Sequence, residues 1–292
     1  MGLMMQSKTF NNKHKLEFEA IGTNWTIEAD LDSSLAATIA KIIDDFDRVY
    51  SRFRSDSLVT KMSQKTGEYR LPSDAKTLFD FYKQLYKISN GLVTPLIGGL
   101  MEDAGYDANY SLVSKDSFRQ TPSWEDALEY KFPQLTIKQP IMLDFGAAGK
   151  GYLVDIIGSI LQRHSIQNFC INAGGDMLIK DSHQRVALEN PYDSSQAIGI
   201  VDIKNDAICG SAGNRRKWGK FHHTINPKTQ KSPARIDAIW VRAKTAMLAD
   251  GISTALYFVE PEKLSQLFEF EYAMIVDKDI QFSKNFNAEF FR

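Results

Sequence analysis

The sequence predicts an α+β fold, and three observations carry that prediction. Residues 16–31 alternate apolar and polar side chains across a glycine turn, the mark of a half-buried hairpin. Residues 34–50 and 72–90 repeat apolar groups at helical spacing. Between 169 and 209, short apolar runs follow one another with polar turns between them.

Composition narrows the classes further. A chain of 292 residues can bury a large core as one large domain or two. Hydrophobic residues at 43% and charged residues at 24% describe an ordinary globular protein. The net charge of −1 leaves no electrostatic footprint for nucleic acid or an acidic membrane surface. Cys170 and Cys209 stand alone among apolar neighbours, which makes neither a disulfide framework nor a zinc site. Residues 1–14 are polar and lack the apolar core of a signal peptide, and no later run has the length of a membrane span. Residues 1–15 are therefore expected to be a flexible N-terminus and 16–292 a single unit, in a chain that is cytoplasmic by default and exported if a signal has been removed.

In order, 16–21 and 25–29 read as strands, with Gly22, Thr23 and Asn24 as their turn. Leu35, Ile39, Ile43 and Phe46 mark a helix over 34–50, followed by a polar loop and a short helical turn at 58–62. Pro72, Ser73 and Asp74 start the next helix, and Asn90-Gly91 ends it. A short helix follows at 101–106. Residues 107–131 are polar with scattered aromatics and read as loops, weak strands and the seam of a smaller lobe.

The stretch 141–155 passes from an apolar run through a glycine cluster into an amphipathic pattern, so it reads as strand, tight loop and helix. Gly146, Gly149 and Gly151 allow positive φ or close approach to a ligand. A helix opening there favours anions, and Lys150 supplies a charge inside the loop. A plain β–α turn with a solvated lysine explains the same residues, and the Walker pattern is absent. A strand at 169–171 runs into Asn172-Ala-Gly174-Gly175-Asp176. Strands follow at 186–188, 198–203, 207–209, 236–242 and 272–276, with a helix from 246 to about 259.

Four features are alike in kind: the 146–151 loop, Asn172–Asp176, the basic loop from Ser211 through Gly213 to Arg215 and Arg216, and the helix carrying Asp250 and Thr254. The last pair is spaced i, i+4, so a carboxylate and a hydroxyl share one face. Hard oxygen donors of this kind suit Mg²⁺. A helix-start acid and a core-edge threonine would look the same. His222 and His223 are adjacent and diverge, so one of them could serve as a hydrogen-bond donor or proton shuttle, not both as ligands to one metal.

Taken in order, these blocks resemble the FAD:protein FMN transferase (ApbE) family. The matching segments are Gly146-Ala-Ala-Gly149-Lys150-Gly151-Tyr152-Leu-Val-Asp155, Asn172-Ala-Gly174-Gly175-Asp176, Leu188-Glu189-Asn190-Pro191, His223-Thr-Ile225-Asn226-Pro227-Lys-Thr229-Gln230 and Ala249-Asp250-Gly-Ile-Ser-Thr254-Ala255. The resemblance implies mixed, mostly antiparallel sheets flanked by helices, with FAD in a cleft between lobes. It implies Mg²⁺-dependent transfer of FMN from FAD to a Thr or Ser hydroxyl of an acceptor flavoprotein, releasing AMP. On the same ground Gly149, Asp250 and Thr254 are expected to hold the metal, and His223, Asp250 and Lys150 to carry the chemistry. Asn172, Gly174, Gly175, Asp176, Ser211, Gly213 and Tyr106 are expected to bind the dinucleotide. Departures from the family pattern fall at Thr94 and Asn226, where it has an aspartate, at Leu96, where it has a threonine, at Gly149, where it has alanine, and at Gln230, where it has glycine. They keep two further readings open, a pyrophosphatase that uses water and a flavin-binding protein without turnover.

Overall fold

The structure is a computed structural model that describes residues 5–10, 13–214 and 216–291. It opens on strands β1 (Met5–Phe10), β2 (Lys13–Ala20) and β3 (Thr23–Ala29). Helices α1 (Ser33–Tyr50) and α2 (Leu58–Gln64), strand β4 (Gly67–Arg70) and helix α3 (Ala75–Ile88) follow. A 3-10 turn at Pro95–Ile97 leads into α4 (Gly98–Asp103). Then come α5 (Trp124–Ala127), β5 (Leu128–Lys131), β6 (Gln134–Ile137) and the long helix α6 (Gly149–Arg163). Strands β7 (Phe169–Ala173) and β8 (Asp176–Lys180) form one hairpin, β9 (His183–Asn190) and β10 (Asp193–Lys204) a second, and β11 (Ala207–Ala212) returns to pair with β8. The chain continues through β12 (Lys217–Trp218), β13 (Phe221–His222) and β14 (Ile236–Ala243) to α7 (Ala246–Ala255) and α8 (Pro261–Leu264). Strands β15 (Glu271–Val276), β16 (Asp279–Phe282) and β17 (Ala288–Phe290) close it.

The α+β expectation holds. Nine strands form one sheet in the order β1-β2-β3-β7-β8-β11-β14-β15-β16, every neighbouring pair antiparallel. Smaller sheets join β17, β10 and β9, and β4, β6 and β5. The two-residue period of a strand divides the buried side chains of the large sheet between two cores. Ile171, Leu178, Cys209, Ile239 and Val241 face Leu153, Ile157 and Ile252 of α6 and α7. Their alternates Cys170, Ile179, Ile208 and Trp240 meet Leu188, Val201, Ile203 and Phe286 on the other side. Each fully buried aliphatic chain contributes about 1.5–3 kcal/mol, so the large sheet is a platform held from both faces. A third cluster gathers Leu100, Met101, Tyr106, Trp218, Phe221 and Ile225 around α4. Among the described residues, no helix is long and apolar enough to cross a membrane.

Several elements differ from the sequence expectation. The first hairpin turns at Ile21 and Gly22, both with positive φ, one residue earlier than the expected turn. Residues 141–145 form no strand: Ile141, Leu143 and Phe145 are buried, but the Asp144 N–H donates to the carbonyl of Pro95, outside any ladder. The helix expected at 101–106 begins at Gly98 and ends at Asp103. Strand β1 falls inside the segment expected to be flexible and pairs with β2.

Beyond α4, one carboxylate ties back the far part of the 104–121 segment at Lys115 and Arg119. Asp103, buried at the end of α4, accepts from Arg119 Nε at 2.7 Å, Lys115 Nζ at 2.7 Å and the Arg119 N–H at 2.9 Å. Burial pulls its pKa upward, but the bonds from Arg119 and Lys115 prevail and hold it down at about 2. A carboxyl whose native pKa lies below its unfolded value contributes stability above the unfolded pKa and loses it as pH falls through the native one. Limited proteolysis between pH 5 and pH 2 should therefore open the 104–121 segment as the acid limb is crossed. Asp103→Asn should show the same cleavage at neutral pH.

Candidate active site

The site is built where α6 begins. Gly149 donates to the Phe145 carbonyl at 2.7 Å and starts the helix directly from the loop, without a side-chain cap at Ala148. The cap comes from another helix: the Gly151 N–H donates to Asp250 Oδ2 at 2.9 Å. In return Asp155 of α6 accepts from the N–H groups of Ala246 and Met247, both at 2.8 Å, and so caps α7. A Cβ on Gly151 would lie 2.2 Å from the carbonyl oxygen of Ala246 and 2.8 Å from the Cβ of Asp250. Only glycine allows this approach, and the approach brings Asp250 to the turn at Gly149.

Other elements hold the loop before α6. Tyr82 of α3 accepts from the Ala147 N–H at 3.1 Å. Asp144 Oδ1 accepts from the Gly146 N–H at 2.7 Å, and its Oδ2 accepts from Arg52 Nε at 2.5 Å. A cavity of about 310 Å³ opens over this loop. Gly149, Lys150, Thr254, His223 and Tyr106 all line it, together with Arg52, Phe53, Thr94, Tyr110, Asp144 and Arg216. Asp250 lies behind that wall, 8% exposed, where burial pushes its carboxyl up and the Lys150 charge and the Gly151 N–H act against the rise.

His223 stands with Nε2 3.2 Å from Ser211 Oγ, so Ser211 orients the imidazole from β11. His222 turns away. Its Nε2 meets the Pro233 carbonyl at 2.9 Å, its Nδ1 accepts from the Thr224 N–H at 3.2 Å, and burial lowers its pKa. Tyr106 accepts from Arg216 Nη1 at 3.0 Å while its ring stacks on Trp218, 5.5 Å away.

The glycine turn between β7 and β8 stands elsewhere. Asn172 Oδ1 accepts from the Gly175 N–H at 2.8 Å, and Gly174 and Gly175 take φ of 63° and 103°. Asp176 is buried and pairs with Lys150, whose Nζ also donates to the Ala173 carbonyl at 3.0 Å. Asp176 and the Ala173 carbonyl therefore hold the Lys150 ammonium, and neither residue lines the cavity. Asn172, Gly174 and Gly175 instead border a second groove of about 650 Å³, between β9 and the large sheet. Gly213 packs against the His222 ring and does not reach the cavity wall either. Arg215 lies outside the described residues.

Two departures from the family pattern keep their local geometry. Asn226 Oδ1 accepts from the N–H groups of Lys228 and Thr229 at 2.9 and 3.0 Å. Thr94 Oγ1 accepts from the Leu96 N–H at 3.2 Å and caps the 3-10 turn. An acid at either place would act as the same acceptor. Arg52 and Asp144 are two of the cavity residues that sequence reading did not single out. Arg52 lies in the polar loop after α1, and no spacing joins it to a carboxylate 92 residues away.

Removing the space at Gly151 should be costly. Gly151→Ala is expected to lower stability by about 2–3 kcal/mol in urea unfolding. Gly149→Ala, whose Cβ would meet only the Phe145 Cβ at 3.3 Å, should cost about 1 kcal/mol or less.

The ApbE family model matches residues 21–276. Among curated proteins, the FAD:protein FMN transferase of Buchnera aphidicola (subsp. Schizaphis graminum) is 25% identical over 83% of this chain and 78% of its own length. Among solved structures, the flavin transferase ApbE from Vibrio cholerae aligns with a TM-score of 0.78 at 20% identity, covering 96% of this chain and 99% of its own. The ApbE protein from Thermotoga maritima aligns at 0.79 and 18%, covering 94% and 98%.

Proposed function

This chain belongs to the ApbE family, and from that premise we propose that it moves FMN from FAD onto a Thr or Ser hydroxyl of an acceptor flavoprotein, assisted by Mg²⁺ and releasing AMP. One observation carries the reading: the Asp250 carboxylate meets the Gly149–Gly151 turn at the edge of a cavity that Lys150, Thr254 and His223 also line. The donor set suits a hard divalent cation, since it offers a carboxylate, the Thr254 hydroxyl and the Gly149 carbonyl. Among the described residues Asp250 has no cationic side chain in hydrogen-bond contact, so its buried charge is expensive and a cation beside it lowers that cost. Bound there, Mg²⁺ supplies charge neutralisation at the pyrophosphate.

The chain's own residues then do the following. The Lys150 ammonium and the positive end of the α6 dipole hold the dinucleotide's phosphates, because both favour an anion. Asp176 fixes Lys150 from behind, so the charge stays in one place. The acceptor hydroxyl oxygen forms a bond to the FMN phosphorus as the bridging P–O bond breaks and AMP leaves. His223, oriented through Ser211, takes the proton of that hydroxyl. The reading without turnover draws no support from Asn226 or Thr94, which serve as backbone caps.

The test is incubation of the purified chain with FAD, Mg²⁺ and a candidate flavoprotein, followed by mass spectrometry. A gain of one FMN on a Thr or Ser together with AMP is expected. Equal release of AMP and free FMN without the acceptor would select the hydrolytic reading. No product with any divalent cation would reject both. Asp250→Asn should slow transfer more than about a hundredfold and abolish the dependence on Mg²⁺. His223→Ala should slow it by about 10²–10⁴-fold at unchanged metal dependence.

A further inference from the structure

Arg52 is a buried guanidinium with unfinished hydrogen bonding. It is 3% exposed, and its Nε donates to Asp144 Oδ2. Neither Nη1 nor Nη2 has a hydrogen-bond partner among the described residues, although both are shielded from solvent. Buried polar groups of this kind are rare because each unmade bond is costly. The guanidinium lies 4.1 Å above the Phe53 ring centroid and 5.0 Å from that of Tyr106, and all three residues line the cavity.

We propose that the terminal amino groups of Arg52 donate to the acceptor edge of the flavin ring, making Arg52 a substrate-binding residue. This inference rests on the assignment of the cavity to FAD. Two features favour the ring over the phosphates. The Arg52 charge is already balanced by Asp144, so its free amino groups suit a neutral acceptor edge. The surroundings of Arg52 are aromatic faces, which suit a flat ring. A guanidinium fork also requires two acceptors side by side. The pyrimidine end of isoalloxazine carries a carbonyl oxygen next to a ring nitrogen, whereas the adenine edge alternates an amino donor with its acceptors. Tyr110, stacked on Phe53 at 5.1 Å and 47% exposed, is the neighbour that can yield to admit the ring.

The experiment compares binding of riboflavin, FAD and ADP to the full chain and to Arg52→Gln, by fluorescence quenching and by the flavin visible spectrum. Arg52→Gln should weaken riboflavin and FAD by about tenfold or more, leave ADP within about twofold, and remove the spectral shift that bound riboflavin shows with the parent chain. If the single change destabilises the fold by stranding Asp144, the double variant Arg52→Gln/Asp144→Asn restores a neutral pair and is read the same way. Unchanged riboflavin affinity in a folded variant would overturn the proposal. Equal weakening of ADP would overturn it too, because the phosphates would then be the target. Failure of the parent chain to bind any flavin would instead remove the functional reading beneath it.

Discussion

The site depends on one close crossing, that of α6 over α7 at Gly151. A backbone without a side chain lets α6 settle against the Ala246 carbonyl, and the two helices then exchange caps. Asp155 satisfies the first N–H groups of α7, and Asp250 satisfies one at the start of α6. Hydrogen bonds to charged groups contribute about 1.5–3 kcal/mol each, so the three bonds offset much of the expense of burying two acids. Burial still raises Asp155 to about 6. The large sheet is the counterpart of this arrangement: Ile171, Leu178 and Cys209 give both helices a common floor, so the crossing has no freedom to open.

Around that crossing the charges are arranged in order of compensation. Arg52 and Asp144 neutralise each other, as do Lys150 and Asp176, and both pairs are largely withdrawn from water. Desolvated pairs add little net stability, but removing one member strands the other at about 3–5 kcal/mol. They therefore act as fixed positions rather than as sources of stability. Asp250 differs, since its nearest donor is a backbone N–H and its nearest cation acts over distance. That imbalance sets one carboxylate apart as the place where an added cation would change most.

How much of this was legible in the sequence depended on the range of the forces involved. Period and punctuation located the first hairpin, α1, α3, the helical part of α6 and most strands of the large sheet, because those signals are local. The apolar run 141–145 was misread as a strand: burial of Ile141, Leu143 and Phe145 alternates as a strand would, but no neighbouring strand offers a ladder. Asn172–Asp176 forms the turn of a hairpin whose Asp176 pairs with Lys150, a contact visible only once β7 and β8 pair. The partnership of Arg52 with Asp144 spans 92 residues and leaves no trace in either neighbourhood.

The same distinction explains why the chain can depart from its family at several motif positions and keep the site's frame. Asn226 and Thr94 stand where the family pattern has an acid, yet each accepts the backbone N–H bonds that shape its turn, and an amide or hydroxyl oxygen does this as well as a carboxylate. Gln230 stands where the pattern has glycine and adopts φ of 57°, a left-handed conformation costing a side-chain residue about 1–2 kcal/mol. Its Nε2 reaches the Arg119 carbonyl at 3.3 Å, and that contact offsets part of the strain. At these positions the motif specifies a backbone shape, which several residues can meet. At Gly151 and Asp250 it specifies a contact distance and a buried charge, and there no other residue type satisfies the geometry.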